Sequence, residues 1–223
     1  MTGEVRFQIN KDLVRKRLVK YTRKAFRMLP QLDKPRILDV GCGSGVSTTE
    51  LAELSKGEII GIDIHQPSLG RFTKRIEEVG LSDRVKALNC SMSNMEFAEK
   101  SFDIIWSEGS IFVIGFEKGL IEWRRFIKPN GFLVVHDEKG NIEEKIKQVS
   151  SCGYQLLGHF ILNEDTWWAE YFAPLAKLIC ETREKYANDP KVREQLHNAQ
   201  REIDMFKKDP KLNSSAFLIM QKS

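Results

Sequence analysis

The chain has 223 residues, 41% of them hydrophobic and 30% charged, with a net charge of +4 and four cysteines. That length suits one α/β domain with a proper core, and no apolar run approaches the roughly 18 residues that cross a bilayer. Cys42, Cys90, Cys152 and Cys180 show neither C-x-x-C pairing nor a zinc-like spacing to histidine, so no metal is expected and reduced thiols in a cytoplasmic protein are.

Residues 1–36 hold eleven Lys or Arg against three acids, a local balance of +8 that leaves −4 for the remainder. The stretch Lys11–Arg27 lacks the apolar core of a signal peptide. Leu13, Val14, Leu18, Tyr21, Ala25 and Met28 recur at spacings of three and four, which predicts a helix over Lys11–Leu29. Its basic character suits either a solvated helix face or an anionic partner such as nucleic acid or a membrane surface.

After Pro30 and Pro35, short apolar runs alternate with helical patterns, as in a mainly parallel sheet with crossover helices. Strands are expected at Arg36–Val40, Glu58–Asp63, Val85–Asn89, Phe102–Trp106, Phe132–His136, Tyr154–Leu162 and Ala216–Gln221. Helices fit Gly45–Leu54, Pro67–Val79, Glu117–Phe126 and Ile142–Ser151, with turns at Lys128-Pro-Asn-Gly131 and Cys152-Gly153. About fifty residues separate Leu162 from the last strand, too many for a structureless loop. Thr166–Ala187 and Pro190–Phe206 read as helices there, the second opening on an Asp189-Pro190 cap. The expectation is one domain, with residues 163–214 inserted as a helical cap over one end of the sheet.

The most specific pattern is Asp39-Val-Gly-Cys-Gly-Ser-Gly45, D-x-G-x-G-x-G, between an apolar strand and a helix. Gly41, Gly43 and Gly45 permit a tight turn and a close approach of a ligand to the backbone, and the helix start offers it free N–H groups. Ile59-Ile-Gly-Ile-Asp63 is an apolar strand tipped by an acid that can accept both hydroxyls of a ribose.

With these motifs the chain resembles the class I S-adenosylmethionine-dependent methyltransferases. Val85–Phe97 is similar to the family segment that edges the adenine, with Ser91 where many relatives have aspartate. Ser101–Ser110 is similar to the fourth strand and its active-site turn, and Glu117–Gly131 to the helix and turn before the fifth strand. Thr166–Leu175 is similar to a segment of the small-molecule "type 11" group of quinone and metabolite methylating enzymes. The resemblance implies a Rossmann-like α/β fold, seven strands in the order 3-2-1-4-5-7-6 with the last antiparallel. It implies S-adenosylmethionine as cofactor, held by Asp39, Gly41, Cys42, Gly43, Gly45, Asp63, Ile64, Ser91, Met92 and Ser107.

Methyl transfer from a sulfonium needs alignment and exclusion of water, and a base only when the acceptor must lose a proton. Glu108 and His136, at the ends of adjacent strands, are the candidate catalytic pair. Trp168 and Tyr171 either line a pocket for a flat or apolar small-molecule acceptor or pack the cap. Competing readings are an RNA or other nucleic-acid methyltransferase and a non-catalytic S-adenosylmethionine-binding module. Against the first, Ser107-Glu-Gly-Ser110 lacks the Asn/Asp-Pro-Pro-aromatic motif, and no aromatics interleave the basic stretch as a stacking platform. A nicotinamide oxidoreductase would want G-x-G-x-x-G instead. Acceptor and oligomeric state stay open.

Overall fold

A computed structural model describes residues 2–186 and 188–223. The chain forms two compact units, one from residues up to Lys20 with Leu162–Ser214, the other from Tyr21–Ile161 with Ser215–Ser223. Among the described residues no helix is long and apolar enough to cross a membrane.

The second unit is built on seven strands: β1 (Arg36–Val40), β2 (Glu58–Asp63), β3 (Val85–Asn89), β4 (Phe102–Glu108), β5 (Ile127–Glu138), β6 (Tyr154–Leu162) and β7 (Ser215–Lys222). Their order is β3-β2-β1-β4-β5-β7-β6. β1 to β5 pair in parallel and β7 runs antiparallel to β5, the expected topology. β4 runs two residues beyond its expected end, because Ser107 and Glu108 keep pairing with Val135 and His136. β5 begins five residues early and absorbs the expected Lys128–Gly131 turn as a kink, with Asn130 at φ 60°.

Alternation along each strand separates two buried faces. On one, Leu38, Ile105, Leu133 and Val135 meet Leu120 and Trp123 of α5 (Phe116–Trp123) and Val149 of α6 (Ile142–Ser151). On the other, Trp106 lies 6.4 Å from Phe26 of α2 (Val19–Phe26). An Arg23–Glu50 ion pair joins α2 to α3 (Val46–Ser55). Phe72 of α4 (Gln66–Glu78) is fully buried against Gly45 and Gly61. Full burial of rings such as Trp106, Trp123 and Phe72 stabilises the fold by roughly 1.5–3 kcal/mol each.

The first unit is helical: α1 (Gly3–Lys16), α7 (Glu164–Trp167), α8 (Ala173–Lys185) and α9 (Pro190–Lys208), with a π-turn over Trp168–Phe172 leading into α8. Phe7, Phe172, Leu175, Leu196 and Phe206 are buried in its core. The single amino-terminal helix expected over Lys11–Leu29 is instead two, α1 beginning at Gly3 and breaking at Arg17–Leu18 before α2. Short-range periodicity does not register a break when both halves keep the same spacing. The expected end at Ala187 lies outside the described residues; α8 ends at Lys185. Asp189 caps α9 as its Asp-Pro pair predicts, accepting from the Lys191 and Val192 amides.

Candidate cofactor and active site

Asp39 ends β1 next to the glycine turn. The turn folds back on β2, with the amides of both Gly41 and Cys42 donating to the Ile62 carbonyl at 2.9 and 3.0 Å. The three glycines serve different needs. All have positive φ, at 76°, 55° and 72° for Gly41, Gly43 and Gly45. A Cβ on Gly45 would fall 1.9 Å from the Phe72 ring, and one on Gly41 would fall 2.3 Å from Ser110 Cβ. A Cβ on Gly43 would meet no atom within 4 Å. Gly41 and Gly45 are therefore required by packing, whereas the space beside Gly43 is a cradle open to a ligand.

Asp63, at the tip of β2, borders that cradle. Its two carboxylate oxygens accept from the amides of Gly43 (2.9 Å) and His65 (2.8 Å), which fixes the side chain on the turn. Ile64, next to it in sequence, is a 70% exposed apolar side chain. At the next strand end, Ser91 is exposed and Met92 half-buried, and the Met92 carbonyl accepts from Trp123 Nε1 at 3.4 Å.

Behind the turn lie a buried carboxylate, Asp39, and a half-buried one, Glu108. Asp39 accepts a 2.5 Å hydrogen bond from Thr48. Burial pushes its carboxyl up to about 7, with the Thr48 bond opposing and the charges of Glu108 and Asp63 adding. Glu108 accepts from Trp106 Nε1 (2.7 Å), Thr22 Oγ1 (2.9 Å) and Ser47 Oγ (2.9 Å). Burial raises its carboxyl too, against those three bonds. One side chain thus knots β4, α2 and α3 together. No sequence motif announces Thr22 or Ser47 in this role; a hydroxyl's partner is set by tertiary structure. Burial first, then the charges of Asp39 and Asp63, raise the Cys42 thiol, so it stays protonated.

Ser107 is fully buried, its hydroxyl 2.7 Å from that of Ser110, which in turn donates to the Val40 carbonyl at 2.6 Å. That chain of bonds braces the turn from below, and the Ser107 hydroxyl is committed to it. His136 faces Glu108 across the β4–β5 register. It stacks on Phe217 at 4.2 Å, with Nε2 2.7 Å from Ser215 Oγ. Burial pushes the imidazole down to about 3, so it is neutral at physiological pH.

Of the acceptor candidates, Tyr171 is buried in the helical unit and its hydroxyl donates to Glu202 at 3.0 Å. Trp168 stacks on Phe206 at 5.8 Å and keeps 38% exposure. The amino-terminal basic residues are partly neutralised: Lys11 pairs with Glu202, and Lys20 and Arg17 with Glu170 at 2.7 and 3.4 Å.

Residues 32–201 match the methyltransferase domain family. Over 103 residues the chain is 31% identical to a sterol 24-C-methyltransferase of Gibberella zeae, covering 46% of this chain and 27% of that one. The chain spans less than half the length of the curated relatives it matches. A methyltransferase of Thiobacillus denitrificans, solved with S-adenosylhomocysteine, shares the fold with a TM-score of 0.74 at 16% identity, covering 92% of this chain and 91% of that one. The cyclase SpnF shares it too, with a TM-score of 0.77 at 20% identity, covering 92% of this chain and 80% of that one.

Proposed function

Because the chain belongs to the methyltransferase domain family, with the class I fold, we propose that it binds S-adenosylmethionine on the β1–α3 turn and methylates a small molecule. The observation that carries this is the open cradle at Gly43 bordered by the Asp63 carboxylate. The donor chemistry fits as well. The partners of Asp39, Asp63 and Glu108 are hydroxyls, an indole and backbone amides, all neutral, so this acidic group suits a cationic ligand.

When bound, the cofactor supplies an electrophilic methyl carbon on a sulfonium. The chain's own residues do the rest. Asp63 takes the ribose hydroxyls, Gly43 admits close approach, and Ile64 with the Ser91–Met92 segment flanks the adenine. Gly41, Cys42, Gly45 and Ser107 shape the turn. Asp39 and Glu108 place negative charge near the cation. His136 serves best as a neutral hydrogen-bonding group, because charging it to abstract a proton opposes the burial that holds it near 3.

The acceptor side of the reading rests on the segment of residues 163–214, whose exposed aromatic is Trp168. Protection of that segment from proteolysis on acceptor binding is the matching measurement. The ion pairs of Lys11, Arg17 and Lys20 favour a structural role for the basic segment over a nucleic-acid surface. The four free thiols accord with a cytoplasmic site. Calorimetry with S-adenosylmethionine, followed by incubation of the labelled cofactor with a metabolite extract, tests the function. Binding without label transfer would leave a sensing module; no binding would refute the reading.

A further inference from the structure

The helical unit contains a feature that methyl transfer does not use. Between α8 and α9 lies a cavity of about 440 Å³, lined by Arg183, Tyr186, Arg193, Leu196, His197 and Gln200. No carboxylate lines it, and its floor is apolar: Leu196 is buried and Tyr186 half-buried. Arg183, Arg193 and His197 are exposed around it, and among the described residues none of their side chains forms a hydrogen bond or ion pair.

Helix electrostatics account for only half of this charge. Arg183 falls in the last turn of α8, where a cation complements the carbonyl end of the helix. Arg193 does not. Beyond the Asp189 cap the first turn of α9 carries no acid, and both Lys191 and Arg193 stand near its amide end, where a cation opposes the helix dipole and that one carboxylate is set against two cations. A positive charge kept against its own helix, across a cavity from a second unpaired guanidinium, favours an anion between them. Planar guanidinium forks take phosphate or carboxylate oxygens in pairs, and the volume lies within the range of small-ligand sites.

We infer that this cavity binds a small anion with an apolar body, an aryl or alkyl phosphate or carboxylate. Arg183 and Arg193 hold the anionic group, His197 adds a donor, and Tyr186 with Leu196 covers the body, while the Gln200 amide is engaged with Asp204 at 2.9 Å. The inference is independent of the acceptor of the methyl group.

Phenyl phosphate, benzoate, inorganic phosphate and benzyl alcohol titrated into the full chain by calorimetry test it. Phenyl phosphate or benzoate should bind saturably, and whichever binds tighter identifies the anion. Inorganic phosphate and benzyl alcohol, each carrying half of the recognised chemistry, should bind at least tenfold more weakly. Arg183→Gln with Arg193→Gln should cost at least tenfold in affinity with an unchanged circular dichroism spectrum, while Lys177→Gln on the same helix should cost nothing. Undiminished binding by the double variant, or no binding of either aryl anion at millimolar concentration, would overturn the site. Inorganic phosphate binding as tightly as phenyl phosphate would overturn the apolar half of it.

Discussion

Replacing Asp39 by asparagine should make the protein more stable and a poorer cofactor binder at once. Burial holds the Asp39 carboxyl at about 7 in the folded chain, against 3.8 for the free group. The folded state therefore binds a proton that the unfolded state has already released between those two values. Stability from this group is greatest below about pH 4, falls as pH rises through 4 to 7, and is flat above. At about 1.36 kcal/mol per unit, the charged Asp39 costs the fold on the order of 4 kcal/mol at pH 8. Asparagine carries no charge, and its carbonyl can still accept the Thr48 hydrogen bond. Asp39→Asn should then gain up to about 4 kcal/mol at pH 8, shrinking toward zero as pH approaches 4. Urea denaturation of both proteins at pH 8 and pH 4.5 reads the difference. An asparagine variant less stable at pH 8, or a gain independent of pH, would refute the reasoning. By the same linkage, wild-type affinity for the sulfonium cofactor should rise with pH up to about 7, because the cation selects ionised Asp39; calorimetry across pH 5.5–8 measures the slope.

Asp63→Ala should lose two charge-assisted hydrogen bonds to ribose, costing roughly 1.5–3 kcal/mol apiece in cofactor affinity; wild-type affinity by calorimetry would remove Asp63 from the site. The glycines should separate into two classes. Gly45→Ala drives a methyl into Phe72 and should destabilise the fold by about 1–3 kcal/mol or more, read as a lower melting temperature. Gly43→Ala carries only the left-handed backbone cost of roughly 1–2 kcal/mol, and its main effect should be weakened cofactor binding. For His136, the pH profile of turnover should show no inflection near 6.5, and His136→Ala should fall short of the 10²- to 10⁴-fold loss that removal of a general base causes; a loss of that size with intact cofactor affinity would restore the base.

The sheet was legible because its evidence is local. Each of β1, β2, β3 and β6 is an apolar or alternating run bounded by turn residues, and its limits fall where the sequence puts them. The glycine turn was legible as a motif, yet motif alone treats Gly41, Gly43 and Gly45 alike; only the positions of Ser110 and Phe72 show which are fixed by packing. Glu108 was marked by its place after β4, but its knot with Thr22 and Ser47 joins residues 86 and 61 positions apart, beyond any periodicity. His136 read as a titrating group because its type suggests one. Its stacking on Phe217 and its bond to Ser215 depend on β7, some 80 residues downstream.

The place of β7 also bears on how the chain is made. It lies between β5 and β6 in the sheet, yet follows both in sequence. Until Ser215–Lys222 emerges from the ribosome, β6 has no neighbour to join, and β5 presents an open hydrogen-bonding edge backed by Leu133 and Val135. The 53 positions from Leu162 to Ser215 take roughly 3–11 s to synthesise at about 5–20 residues per second. For that interval the nascent protein carries an unpaired, largely apolar edge of the kind that invites intermolecular strand pairing. The long helical insertion is thus a delay as well as a structure, and shortening it should favour yield by shortening the exposure of that edge.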